Sequence, residues 1–215
     1  ARERSVAVFA ETCPQYLYLS QHEYDRPDFA GAQFVMSPPL RPKGNEEHLW
    51  RGLAAGDFQA VATDHCSFPM RSRPGKPGKD LGRKDFSKIP NGAPGVETRM
   101  PLMWEAVQRG RLSLSRFVDV TATGPAKVFG LYPRKGHLGC GADADIVLID
   151  PKHRATIAAA ALHHAVNYTP FEGMTVHGAI REVFVRGKHM ASWGKLLGRP
   201  GHGRFLARSR RQFCL

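Results

Sequence analysis

The sequence lacks the features that would place it in several common classes. It has no run of about 18 apolar residues, which argues against a membrane-crossing helix. Its four cysteines, Cys13, Cys66, Cys140 and Cys214, stand far apart with no C-x-x-C pair. Neither a disulfide framework nor a zinc ribbon is indicated, and reduced thiols in a cytoplasmic protein are expected. Ten histidines never fall into H-x-H or H-E-x-x-H, so the chain alone spells out no zinc cage. No internal repeat is visible. The start, Ala1-Arg2-Glu3-Arg4-Ser5, has neither an initiating Met nor the layout of a signal peptide, and the expectation is a chain entered partway through a larger protein. Acidic residues are few: 19 Asp and Glu face 31 Lys and Arg, a net charge of +12. Basic charge can serve nucleic acid. Here it is spread along the chain, densest at Arg204, Arg208, Arg210 and Arg211, with no nucleic-acid motif, and a solvated surface with a basic tail is the expectation.

What is present has a clear order. Val6 to Ala10 is apolar throughout, which predicts a strand covered on both faces. Residues 20–33 are polar, with Pro27 and Gly31, and read as a loop. Phe34-Val35-Met36 runs into Ser37-Pro38-Pro39, an extended stretch because proline restricts itself and its predecessor. Asn45 as cap, Glu46 and Glu47 in the first turn, a stripe of Leu49, Trp50 and Leu53, and a stop at Gly56 predict a helix over 45–55. Phe58 to Thr63 predicts a second buried strand, ending at Asp64-His65-Cys66. Strand, helix, strand is the order of a βα barrel or an open α/β sheet. Residues 67–95 are rich in Pro, Gly and Lys, and a stretch of that length is usually functional or mobile. Helices are predicted over 98–109 and 113–130, the second with Ser113 as cap and a break at Gly124-Pro125. Beyond Gly136 the chain turns β-rich, at Ala144–Ile149 and around Val183 and Val185, with a turn at Arg186-Gly187-Lys188. The expected division is therefore 1–135 for the α/β part, 136–200 for a small β-unit and 201–215 for the basic tail.

Asp64 is the most informative residue. It closes an apolar strand, and in βα barrels the carboxyl ends of the strands carry the active site. A carboxylate there can ligate a metal and take a proton from water; equally, Asp at a strand end can simply cap the next turn. His65 points to the opposite face if the strand continues, so it is read as supporting or structural, as is the pair His163-His164. Ser37 and Asn91 lie in Pro/Gly loops. Such residues favour turns, and rigid loops can also offer backbone N–H and C=O groups to a cyclic amide.

Several segments, in order, resemble the dihydropyrimidinase and D-hydantoinase family: Glu11-Thr12-Cys13-Pro14-Gln15-Tyr16-Leu17, Val35 to Arg41, Ala62-Thr63-Asp64-His65-Cys66, Asp85 to Gly92, Gly130 to Gly136, and Gly141 to Asp145. Tyr168 to Gly173 and Gly198 to Phe205 fit as well. Together they cover almost the whole chain. The resemblance implies the C-terminal part of a (β/α)8 metal-dependent hydrolase barrel plus a small β-sandwich segment. It implies a cytoplasmic enzyme of pyrimidine catabolism, a homotetramer when complete, that opens the ring of a dihydropyrimidine or hydantoin. Two zinc ions are implied. Asp64 matches the metal-binding general base, and the other ligands, histidines and a carboxylated lysine, are implied to lie outside this chain. Ser37 and Asn91 match positions whose backbones hold the substrate ring, and all three residues are expected around one pocket mouth. Residues 70–78 look longer than the family's usual connection. Two rival readings come from the same likeness, a non-catalytic adaptor lacking an acid at position 64 and an allantoinase; a basic nucleic-acid module is a third.

Overall fold

The computed structural model describes Arg4 and residues 6–210. The first sheet is a parallel pair, β1 (Glu11–Thr12) beside β2 (Ala60–Val61), with Glu11 opposite Ala60 and Thr12 opposite Val61. A parallel pair needs a long crossover. Here it contains α1 (Pro14–Tyr18), two 3-10 turns and α2 (Asn45–Ala55). Main-chain bonds from Gln59 N–H to the Ala10 carbonyl and from Ala62 N–H to the Thr12 carbonyl, both 2.8 Å, extend the ladder at each end. The expected strand over Val6–Ala10 is displaced. Only Ala10 joins the ladder, while Val6 and Val8 are 50% and 41% exposed. An apolar run becomes a buried strand only where both faces are covered, and the described residues leave these two about half exposed.

Helix α2 has the expected bounds but a different start. Gly44, at φ +102°, precedes it, and Asn45 is its first residue rather than its cap. The Asn45 side chain instead donates back to the Pro42 carbonyl at 3.0 Å, and Glu46 accepts from Gly44 N–H at 2.8 Å. Gly56 ends the helix in the left-handed region, with Asp57 N–H reaching the Gly52 carbonyl at 2.9 Å. The buried face carries Trp50 and Leu53; the Trp50 indole N–H donates to the Leu17 carbonyl at 3.0 Å.

Helix α3 (Arg99–Gln108) follows the long 67–95 segment, and α4 (Leu114–Val118) is capped by Ser113, whose hydroxyl accepts from Arg116 N–H at 3.1 Å. The expected break at Gly124-Pro125 does not occur. A single π-turn over Asp119–Thr123 widens the helix, and α5 (Gly124–Val128) continues it, with Pro125 at its very start, where a missing N–H costs little. Gly124 is required by closeness: a Cβ there would lie 2.2 Å from the Gln59 carbonyl oxygen.

The second sheet is an antiparallel meander of β3 (Ile146–Thr156), β4 (Thr175–Val185), β5 (Lys188–Ser192) and β6 (Lys195–Leu196). Arg186-Gly187 joins β4 to β5, and Trp193-Gly194 joins β5 to β6. Both turns have positive φ at both residues, the two-residue form that matches strand twist.

Two buried clusters fill the interior. One joins α1, α2, β2, α3 and α4 around Leu53, Val61 and Met103. The other sets Phe34, Met36 and Leu102 against Ile157, Phe171 and Val176, so residues on both sides of position 136 share it. Glu105 of α3, fully buried, clasps the sheet: its carboxylate accepts from His177 N–H at 2.6 Å and from Arg109 Nε at 2.5 Å. Gly178 of β4 lies flat against the neighbouring indole at φ +93°, and a Cβ there would come within 2.3 Å of Trp104. Gly178→Ala is expected to lose about 1–3 kcal/mol from overpacking and strain, read as a lower urea midpoint at unchanged slope.

Candidate functional site

Three segments that carry the candidate residues are laced together by main-chain bonds. Gly92 N–H donates to the Val35 carbonyl at 3.0 Å, and Cys66 N–H to the Ala93 carbonyl at 3.0 Å. His65 adds a side-chain tie: its Nδ1 accepts from Gly95 N–H at 3.1 Å and Val96 N–H at 3.2 Å, while Nε2 lies 2.6 Å from the Ser67 hydroxyl. Two N–H donors at Nδ1 place the ring proton on Nε2, which then donates to Ser67. Both ring nitrogens are occupied, so His65 is the supporting residue the sequence indicated. Gly92 lets the segments close up. It sits at φ +124°, and a Cβ on it would fall 2.4 Å from that of Cys66.

The staple at the centre of this lacing went unrecognised in the sequence. Lys79 is fully buried. Its ammonium donates to the carbonyls of Val35 at 2.9 Å, Pro90 at 2.7 Å and Gly92 at 2.7 Å. Burial pushes its pKa down to about 8, against the opposing pull of the Cys66 thiol. In a segment with Lys76, Lys84 and Lys88 nearby, nothing local distinguished it from a solvated lysine.

Asp64 lies three residues past β2, at φ +47°, a left-handed conformation that Asp and Asn tolerate better than most residues. It is exposed and lines a cavity of about 340 Å³ with Glu11, Cys13, Tyr16, Pro38 and Arg41. Burial pushes the Cys13 thiol up to about 12, and the Asp64 and Glu11 carboxylates push the same way, the thiol also donating a hydrogen bond to Asp64. Tyr16 is raised to about 12, again chiefly by burial, and its hydroxyl donates to the Pro38 carbonyl at 3.0 Å. Ser37 and Asn91 line a second cavity, of about 660 Å³, with Tyr24, Phe29, Phe86 and Pro39. The structure thus brings Ser37 and Asn91 together and sets Asp64 in an adjoining cavity that shares Pro39 with theirs, rather than all three in one.

Residues 34–190 match the profile of the Amidohydrolase family. The chain belongs to that family. Its amidohydrolase relatives include the D-hydantoinase of Ralstonia pickettii, 46% identical over 97% of this chain and 44% of the relative, and that of Geobacillus stearothermophilus, 44% identical over 98% and 44%. Among solved structures, a dihydropyrimidinase from Brevibacillus agri NCHU1002 superposes with a TM-score of 0.94 at 45% identity, covering 99% of this chain and 45% of that one. The L-hydantoinase of Arthrobacter aurescens gives 0.85 at 35% identity, over 96% and 44%. The chain therefore spans less than half the length of the relatives it matches. Over that span, its fold is the hydantoinase fold, part of an α/β hydrolase barrel with a small β-sandwich segment.

Among the described residues, no group of three or more His, Cys, Asp or Glu side chains is arranged to hold a metal ion. Asp64 fits as one carboxylate ligand at an open cavity wall; a closed cage needs more. No described helix is long and apolar enough to cross a membrane.

Proposed function

We propose that this chain is the C-terminal part of a zinc-dependent hydrolase that opens cyclic amides of the dihydropyrimidine or hydantoin type. The observation that carries the reading is the lacing of the Ser37, Asp64 and Asn91 segments, which sets two loop backbones in a cavity adjoining that of one acidic residue three residues past a strand. A cyclic imide offers alternating N–H and C=O groups along one edge, and the main chain at Ser37 and Asn91 supplies the complementary pair. Asp64 takes a proton from the attacking water and delivers it to the ring nitrogen as the C–N bond breaks, leaving an N-carbamoyl acid. When bound, two zinc ions supply an activated water; Asp64 is one ligand, and the others lie outside these residues. The reading extends to a cytoplasmic homotetramer, with residues 1–135 as the barrel part, 136–200 as the sandwich segment and 201–215 as a basic tail.

The test uses the chain completed to the length of its relatives and loaded with zinc, given dihydrouracil and 5-substituted hydantoins. Chromatography should show the N-carbamoyl acids accumulating, and light scattering should show four subunits. An intact ring with every substrate would overturn the reading.

A further inference from the structure

Resting on that functional reading, we propose that Lys79 is the positioning residue of the substrate cradle, fixing the spacing of the Ser37 and Asn91 backbones by holding the carbonyls of Val35, Pro90 and Gly92 on one ammonium group. Two of those carbonyls flank Asn91, and the third lies two residues before Ser37. All three distances, 2.7 to 2.9 Å, are those of charge-assisted bonds. The ammonium has three protons and three acceptors, so its donor capacity is used in full.

The arrangement suits positioning better than filling. Among the described residues Lys79 has no carboxylate partner, so its charge is compensated only by main-chain oxygens. Such burial costs free energy unless the acceptors stay in place, and the cost falls on any motion that separates the 35–37 segment from the 90–92 segment. Val35 O is the shared anchor, taking Lys79 Nζ at 2.9 Å and Gly92 N–H at 3.0 Å. Lys79 touches neither Ser37 nor Asn91 through their side chains. It acts on the groups proposed to face the ring by fixing the peptides beside them. A neutral amide side chain can satisfy at most two of the carbonyls, and an apolar one none.

The effect belongs mainly to binding, because the cradle holds the ring before and during the chemistry and loses grip on both equally. The assay uses the chain completed to the length of its relatives, loaded with zinc, with dihydrouracil and 5-phenylhydantoin. Lys79→Met should raise KM about tenfold while kcat changes by less than about threefold, the signature of lost uniform binding. Lys79→Gln should give a smaller rise in KM. Gly92→Ala, which pushes the same loop from the Cys66 side, should also raise KM with Lys79 intact, so the proposal stays testable if the Met variant folds poorly. A melt alongside each variant separates a structural role: a lower Tm with KM unchanged in both Lys79→Met and Gly92→Ala would overturn the proposal. A wild-type enzyme that opens neither ring would overturn the functional reading itself, and this proposal with it.

Discussion

Asp64→Asn is expected to slow ring opening by about 10²–10⁴ in the completed enzyme, the usual range for losing a general base. The substitution is close to isosteric. Asn tolerates the left-handed backbone about as well as Asp, so the φ of +47° at this position should survive and the fold with it. What disappears is the charge that helps keep the proton on the Cys13 thiol and, on the proposed reading, the basicity that takes a proton from water and one anionic ligand for zinc. The loss should therefore appear in kcat with a normal melt. Turnover within a few-fold of wild type would remove Asp64 from the chemistry.

Glu105→Ala is expected to cost about 1–3 kcal/mol, the range for leaving a partly buried donor, the His177 main-chain N–H, without its acceptor. Burial alone would push the Glu105 carboxyl up, but the His177 main-chain N–H and then the Arg109 guanidinium outweigh it and hold it below the ordinary glutamate range. A depressed carboxyl pKa gives stability that is present above the unfolded value of about 4.3 and lost as pH falls through the lower folded value. Wild type should thus weaken through that acid window, while the Ala variant, already missing the interaction, should show a flatter profile there. Urea titrations across pH 3 to 7 would read both; a variant loss under about 1 kcal/mol would show that Arg109, 62% exposed, and the sheet edge relax without cost.

The parts of the fold that could be read from sequence are those fixed by local rules. Helix α2 follows from its Leu49, Trp50 and Leu53 stripe and the Gly56 stop, and the Arg186-Gly187 turn from its need for positive φ. The Trp193-Gly194 turn obeys the same rule but was hidden by an aromatic residue at its first position. Val6 to Ala10 misled because continuous apolarity reports a demand for cover, and cover depends on the rest of the molecule. At the candidate site, Asp64 was singled out by its place after an apolar strand and Ser37 and Asn91 by their Pro/Gly loops, segment resemblance matched all three, and the structure lays their segments side by side. Their distribution over two adjoining cavities could not be read, since it depends on how loops 35–41 and 86–93 stand against β2. Lys79 could not be read either. Its role comes from three carbonyls 11 to 44 residues away in sequence, and no local pattern marks a lysine that turns inward.

The most direct test of the account is a crystal structure of the completed, zinc-loaded chain with a slowly turned-over hydantoin bound. The account predicts the ring's N–H and C=O bonded to the main chain at Ser37 and Asn91, with the scissile carbonyl facing the Asp64 carboxylate. A ring bound elsewhere, or with the Ser37 and Asn91 peptides out of hydrogen-bond reach, would contradict it.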